Sequence, residues 1–144
     1  MKKRTARAAA AAAGLAGWAR VAASPAFGCG HCIEDRIAAV YDHGVITDAL
    51  NAHHQIAYFA IGGPLPADGE SRHVIARALT SAKGIDAPSL RVSVDTASLS
   101  LSYDGKRITS EQIIDTLNRK LAARGLSVSL LKVIDRHAGP IAGM

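Results

Sequence analysis

The chain has 144 residues, enough for one ordinary domain. Only 4% of its residues are aromatic, which argues against an aromatic-rich core or a surface that stacks on nucleic-acid bases. The formal net charge is +5, but residues 1–28 carry all of it, with five bases and no acid. Residues 29–144 balance twelve bases with twelve acids, so the body of the chain shows no charge pattern for binding nucleic acid.

Residues 1–28 have the order of a bacterial-type secretory signal. A basic start that includes Lys2 and Arg7 precedes a weakly apolar stretch over residues 8–19, and small residues follow it. This stretch is shorter than the roughly 20 residues that span a bilayer, which is typical of a cleaved signal. The segment predicts export to the periplasm or the medium. A retained amphipathic helix and lipid attachment at Cys29 stay open as alternatives.

A short helix is predicted over residues 32–42, where apolar side chains recur at helical spacing. These side chains belong to Ile33, Ile37, Val40 and Tyr41. Gly44 is expected to end the helix, and residues 45–47 are expected to begin a strand.

In residues 54–61, apolar side chains would point to both faces of a strand. This pattern predicts a strand that is buried on both faces. A helix is predicted over residues 71–83, with Gly84 at its C-terminal cap. Residues 89–95 and 98–103 alternate apolar with polar side chains, as in an antiparallel hairpin with one face in water. The serines expected on that wet face, where they would be available to a partner, include Ser98, Ser100 and Ser102.

Residues 110–124 carry the clearest helical pattern, which Thr109 and Gln112 begin as a capping box. Residues 126–134 follow as a last alternating strand. From residue 54 the order is strand, helix, strand, strand, helix, strand. This order predicts an α+β fold, the ferredoxin-like βαββαβ sandwich, in which a four-stranded antiparallel sheet carries both helices on one face.

The chain is therefore expected to have four segments. Residues 1–28 form the signal, and residues 29–53 hold a cysteine motif and its short helix. Residues 54–134 form the ferredoxin-like core, and residues 135–144 form a flexible tail.

Both cysteines of the chain lie in the motif Cys29-Gly30-His31-Cys32, directly before the first predicted helix. Two thiolates three residues apart can converge on one soft metal ion, and two sulfurs are enough for nearly linear Cu(I) or Hg(II). Structural zinc normally takes four ligands, so zinc fits this pair less well.

Two other interpretations of the motif stay open. The sequence Cys-Gly-His-Cys is also the redox-active motif of protein disulfide isomerase-type domains, so the pair could exchange thiols and disulfides, with His31 tuning the thiols. Alternatively, an exported protein could close a structural disulfide between Cys29 and Cys32 and act only through its surface.

The remaining histidines are weaker candidates for chemistry. His43, His53 and His54 could complete a zinc site only if the fold brought them to the cysteines. The chain contains no phosphate-binding loop, dinucleotide fingerprint or zinc-protease motif. Apart from the thiol–disulfide exchange left open above, an enzymatic function is therefore not expected.

The alternating strands over residues 90–104, the helix start at residues 108–114 and Gly125-Leu126 resemble the second half of heavy-metal-associated domains. This family includes copper chaperones and periplasmic mercuric-ion binding proteins. The resemblance implies a ferredoxin-like fold and a Cys-x-x-Cys metal site between the first strand and the first helix. In residues 54–134 that loop contains no cysteine, and the pair lies about 40 residues earlier.

The displaced cysteines allow a second strand register. Cys29 to Val45 also resembles the family's motif, helix and glycine–valine pair, in which case residues 54–61 would be the third strand of the fold. In either register, the metal role that the family implies falls on Cys29 and Cys32 alone. The expected ligand is a soft transition metal, copper or mercury, bound by a carrier or buffer that has no membrane span after export and that could exchange metal or thiols with a protein partner.

Overall fold

Four antiparallel strands form a sheet with helices on both of its faces. The computed structural model describes residues 32–66 and 69–136. In chain order, its elements are α1 (Ile33–Ala39), α2 (His43–Asn51), β1 (Gln55–Gly62), α3 (Gly69–Leu79), β2 (Ile85–Ser93), β3 (Ser98–Tyr103), α4 (Ser110–Leu121), a 3₁₀ turn (Ala122–Arg124) and β4 (Ser127–Ile134). No helix in the described ranges is long and apolar enough to cross a membrane.

The strand order across the sheet is β2-β3-β1-β4. β1 pairs with β3 on one side and with β4 on the other, so it is a central strand. From β1 onward the elements run β-α-β-β-α-β, which confirms the ferredoxin-like fold. β1 is the first strand of this unit, so the register in which it would be the third strand is wrong.

The larger core lies between the sheet and the pair α3 and α4. Phe59, Leu99 and Leu101 from the central strands are fully buried against Ile75 and Leu117 of the two helices. The predicted capping box begins α4: the Gln112 amide donates to Thr109 Oγ1 over 3.3 Å, and the Thr109 amide donates to Gln112 Oε1 over 3.0 Å.

The opposite face of the sheet is not wet, which corrects the prediction for the hairpin. α1 and α2 cover it, and Ser98, Ser100 and Ser102 are at most 3% exposed. A second core forms there around Val40, Ala49, Ile56 and Tyr58. The physical reason is visible in β1, because a strand that is apolar on both faces needs a cover on both faces.

α2 lies where residues 45–47 were predicted to begin a strand, so that prediction is wrong. The Asp42 carboxylate accepts a hydrogen bond from the Val45 amide over 3.1 Å and thereby caps the new helix. Ile46, Ala49 and Leu50 pack on the sheet at helical spacing. The helix predicted over residues 32–42 consequently ends at Ala39, and Gly44 belongs to α2 rather than ending α1.

Two buried serines satisfy the carbonyl groups at the end of α1. Ser98 Oγ donates to the Arg36 carbonyl over 2.9 Å, and Ser100 Oγ donates to the Val40 carbonyl over 2.7 Å. The last carbonyls of any helix lack partners within the helix, and a helix of seven residues is not stable alone in water. The hydroxyls of β3 therefore stabilise α1 where the sequence predicted solvent.

An ion pair joins the start of α2 to the edge strand β2. Arg91 approaches Asp42 Oδ2 through both Nε and Nη2, at 2.9 Å each, and both side chains are about one third exposed. The Val45 amide and the Arg91 guanidinium hold the pKa of Asp42 below its usual value. The carboxylate thus stays charged at neutral pH, where it caps α2 and anchors the helix to the sheet.

The boundaries of two elements differ from prediction at the sheet edge. α3 ends at Leu79, and Gly84, with φ +103°, belongs to the turn before β2 rather than to the cap of α3. β2 starts at Ile85 and includes Pro88, within an irregular stretch of its pairing with β3. An edge strand tolerates proline because one side of its backbone needs no partner strand.

His53 occupies the left-handed position that ends α2. Its φ is +60°, its amide donates to the Leu50 carbonyl over 3.2 Å, and the His54 amide donates to the Ala49 carbonyl over 2.8 Å. This pair of bonds is the Schellman motif, whose left-handed residue is usually glycine. The position of His53 thus has a structural explanation in the cap of α2.

Replacing Ser100 with alanine should lower the free energy of unfolding by about 1–3 kcal/mol, because the buried Val40 carbonyl loses its hydrogen bond from Ser100 Oγ. Chemical denaturation measures the change. The matched control is Ser129→Ala on the exposed part of β4, which should change stability by less than about 0.5 kcal/mol. Equal effects of the two variants would contradict the capping role.

Replacing His53 with glycine should raise the free energy of unfolding by about 0.5–1 kcal/mol, because glycine adopts positive φ without steric strain. Thermal denaturation at several pH values measures this change in stability. His54→Gly, at a position without positive φ, should instead destabilise the protein. A loss of stability in the His53 variant would show that this side chain makes a contact the backbone geometry does not explain.

Candidate functional site

Cys32 is the residue of the cysteine motif that the structure describes. Cys32 is exposed and occupies the N-cap position of α1, with φ −61° and ψ 146°, and its carbonyl accepts a hydrogen bond from the Arg36 amide over 3.2 Å. Cys29, Gly30 and His31 lie outside the described residues. The predicted pairing of Cys29 with Cys32, and the tuning role of His31, therefore stay predictions.

The hydrogen bonds of α1 place Cys32 at one end of the sheet. Arg36 lies over Ser98, and Val40 lies over Ser100, so α1 runs along β3 in the same direction. Cys32 precedes Arg36 by about one turn, or about 6 Å along the helix axis. This direction leads beyond the start of β3, toward the turn at residues 94–97.

The loop between β1 and α3 begins at the same end of the sheet. Ser98 pairs with Ala60 near the end of β1, and the Ile61 amide donates to the Ala97 carbonyl over 2.7 Å. This is the loop in which the resemblance to heavy-metal-associated domains implied a Cys-x-x-Cys site. The helix that covers the second face therefore directs Cys32 toward the sheet end at which the loop lies.

The loop itself offers no thiol. Its sequence from Gly63 to Asp68 contains glycine, two prolines, leucine, alanine and aspartate. Gly63 has φ +95°, and a Cβ at this position would collide with the carbonyl of Gly125. The described part of the loop thus includes a tight backbone crossing, and both cysteines of the chain lie in the N-terminal motif, at Cys29 and Cys32.

Acidic side chains surround the start of α1. Glu34 and Asp35 lie in its first turn, and both are exposed. Arg36 follows them with a buried Nε that has no hydrogen-bond partner within the described part of the chain. The carboxylates attract cations, whereas they oppose the ionisation of a nearby thiol.

His53 and His54 lie far from Cys32 and cannot share a metal ion with it. They precede Gln55 at the beginning of β1, whereas Cys32 lies toward the end of β1 at Gly62, and an eight-residue strand separates these ends by roughly 20 Å. His43 starts α2 and therefore lies on a different helix from the one that Cys32 caps. Within residues 32–66 and 69–136, no three histidine, cysteine or acidic side chains form a group that could hold a metal.

The second helix and the covered sheet face are what the sequence interpretation missed at this site. Asp42 followed by Ile46, Ala49 and Leu50 is a signal for a capped amphipathic helix. The hydroxyl contacts that position α1 carry no comparable signal, because their partners lie about sixty residues apart in the chain.

The sequence matches no protein-family model and no curated protein. Solved structures do align with it, among them a copper-binding domain of a P-type ATPase. That alignment has 13% identity and a TM-score of 0.45, and it covers 55% of this chain and 96% of the other. Oxidized MerP from Ralstonia metallidurans aligns with 14% identity, 55% and 99% coverage and a TM-score of 0.42.

A third similar structure is the Cu(I)-loaded N-terminal domain of a potential copper-translocating P-type ATPase from Bacillus subtilis. It shares 16% identity, covers 63% of this chain and 99% of its own, and gives a TM-score of 0.46. At these identities the similarity describes the fold and assigns no ligand to any residue of this chain. In its fold, the structure resembles the heavy-metal-associated domains, as the sequence predicted.

Proposed function

We propose that this chain is an exported protein that binds one soft metal ion, Cu(I) or Hg(II), between Cys29 and Cys32 and that it buffers the ion or passes it on. The observation that carries the proposal is a pair of cysteines, three residues apart, whose second member is exposed where α1 starts. No catalytic step is part of it.

The chemistry of the pair favours a soft ion of low coordination number. Thiolates bind Cu(I) and Hg(II) strongly, and two sulfurs complete a nearly linear site. Structural zinc would need two further ligands, and His53 and His54 lie near the other end of β1. The coordination preference of two thiolates therefore supports copper or mercury rather than zinc.

The surroundings of Cys32 suit transient binding of a cation. Glu34 and Asp35 are exposed beside it, so negative charge attracts the ion while solvent and a partner thiol retain access. His31 lies between the two cysteines and is proposed to tune their ionisation. An ion held by two thiolates, one of them the exposed Cys32, can be transferred by thiol exchange, as a carrier requires.

Titration of the reduced protein with Cu(I), in competition with a chromogenic chelator, should show tight binding of about one ion per chain. The double variant Cys29→Ser, Cys32→Ser should lose this binding. The matched control His53→Ala, His54→Ala should keep it, because those side chains lie near the other end of β1. Unchanged binding by the cysteine variant would refute the site.

The same variants distinguish the thiol–disulfide alternative. A redox dithiol would catalyse the reduction of insulin by dithiothreitol and lose that activity in Cys29→Ser. Catalysis of this kind, together with no uptake of Cu(I) by the reduced protein, would overturn the carrier function and identify an oxidoreductase.

Export is tested by the mass of the mature protein after expression in a bacterial host with its own N-terminus. Cleavage within residues 22–28 should release a periplasmic chain in which Cys29 is unmodified and near the new N-terminus. A chain that keeps residues 1–28 in the cytoplasm, or one with a lipid on Cys29, would contradict the export of a thiol carrier.

A further inference from the structure

A groove between α3 and α4 combines an apolar floor with a basic rim. Val74 and Ala78 of α3 and Leu121 of α4 line the floor, and Arg77, Lys120 and Arg124 line the rim. The cavity has a volume of about 330 Å³, at the small end of the range for small-molecule sites.

The charges on this rim are largely uncompensated. The Arg77 guanidinium makes no hydrogen bond or ion pair with another residue of the described ranges. Lys120 Nζ donates to the Ser81 hydroxyl, which is neutral. Arg124 Nη1 lies 3.8 Å from Glu70 Oε1, but these side chains are 49% and 64% exposed, so the pair is weak.

The preference of helix ends for basic side chains explains why some of these cations are present, but it does not explain why they line the same groove. Basic side chains are favourable in the last turn of a helix, where Arg77, Arg119 and Lys120 lie. Arg119, however, lines a separate depression together with Asp115, which carries the opposite charge. The groove instead brings together Arg77 of α3, Lys120 of α4 and Arg124 of the 3₁₀ turn, and no acidic side chain of the described residues lines it.

We propose that this groove binds a small organic phosphate. Its doubly charged group would lie between Arg77 and Lys120, and its apolar part would cover Val74, Ala78 and Leu121. Guanidinium and ammonium groups are strong donors to phosphate oxygens. A concave site with an apolar floor suits a ligand that enters it better than a flat membrane surface. The groove lies on the face of the sheet opposite α1 and Cys32, and binding there does not depend on the proposed metal function.

The probe is 1-naphthyl phosphate, titrated into ¹⁵N-labelled full-length protein at low ionic strength and followed by amide chemical shifts. Saturable shifts are expected for amides of α3 and α4 around the groove. Arg77→Gln and Lys120→Gln should each weaken binding about tenfold, because each removes one charge-assisted contact. The control Arg119→Gln should leave binding unchanged, since Arg119 lies outside the groove.

Two further ligands separate charge from apolar contact. Inorganic phosphate and 1-naphthol should each bind more weakly than 1-naphthyl phosphate. Binding of inorganic phosphate as tight as that of the naphthyl ester would overturn the role of the floor. Shifts that do not saturate, or that decrease equally in the Arg77 and Arg119 variants, would overturn the site, and neither result would affect Cu(I) binding.

Discussion

The hydrogen bonds from Ser98 to the Arg36 carbonyl and from Ser100 to the Val40 carbonyl are the contacts on which the position of Cys32 depends. α1 has seven residues and none of them is fully buried, so the partial packing of Ile37 on the second core is its main apolar contact with the sheet. The serine hydroxyls satisfy carbonyls that the end of the helix leaves without partners. They also fix the position of α1 along β3, and with it the end of the sheet toward which Cys32 lies.

The covered face changes what the ferredoxin-like unit can do. α3 and α4 occupy one face, α1 and α2 occupy the other, and the loop after β1 contains no cysteine. In the proposed function, the thiols come from the N-terminal side, where the described Cys32 precedes α1. Ion pairing of Asp42 with Arg91 fixes the junction of α1 and α2 to the edge strand.

Much of the fold could be predicted from the sequence because local patterns determine it. The periodicity of β1, the capping box of α4 and the alternation of β3 each specify an element, and their order specifies the ferredoxin-like unit. The burial of the β3 serines could not be predicted, because alternation shows only that one side of a strand is polar. Whether that side meets water or a helix depends on α2, whose valine, isoleucine and threonine favoured a strand locally while its burial favoured a helix.

The most direct test of the account maps where a soft ion contacts the folded protein. One equivalent of Cu(I) or its analogue Ag(I), added to the reduced ¹⁵N-labelled protein, should shift the amides of the first turn of α1 and of the turn at residues 94–97. Amides around His53 and His54 should remain unchanged. Shifts centred on those histidines, or spread evenly over the sheet, would contradict an ion held by the N-terminal thiols at the end of the sheet where β1 finishes.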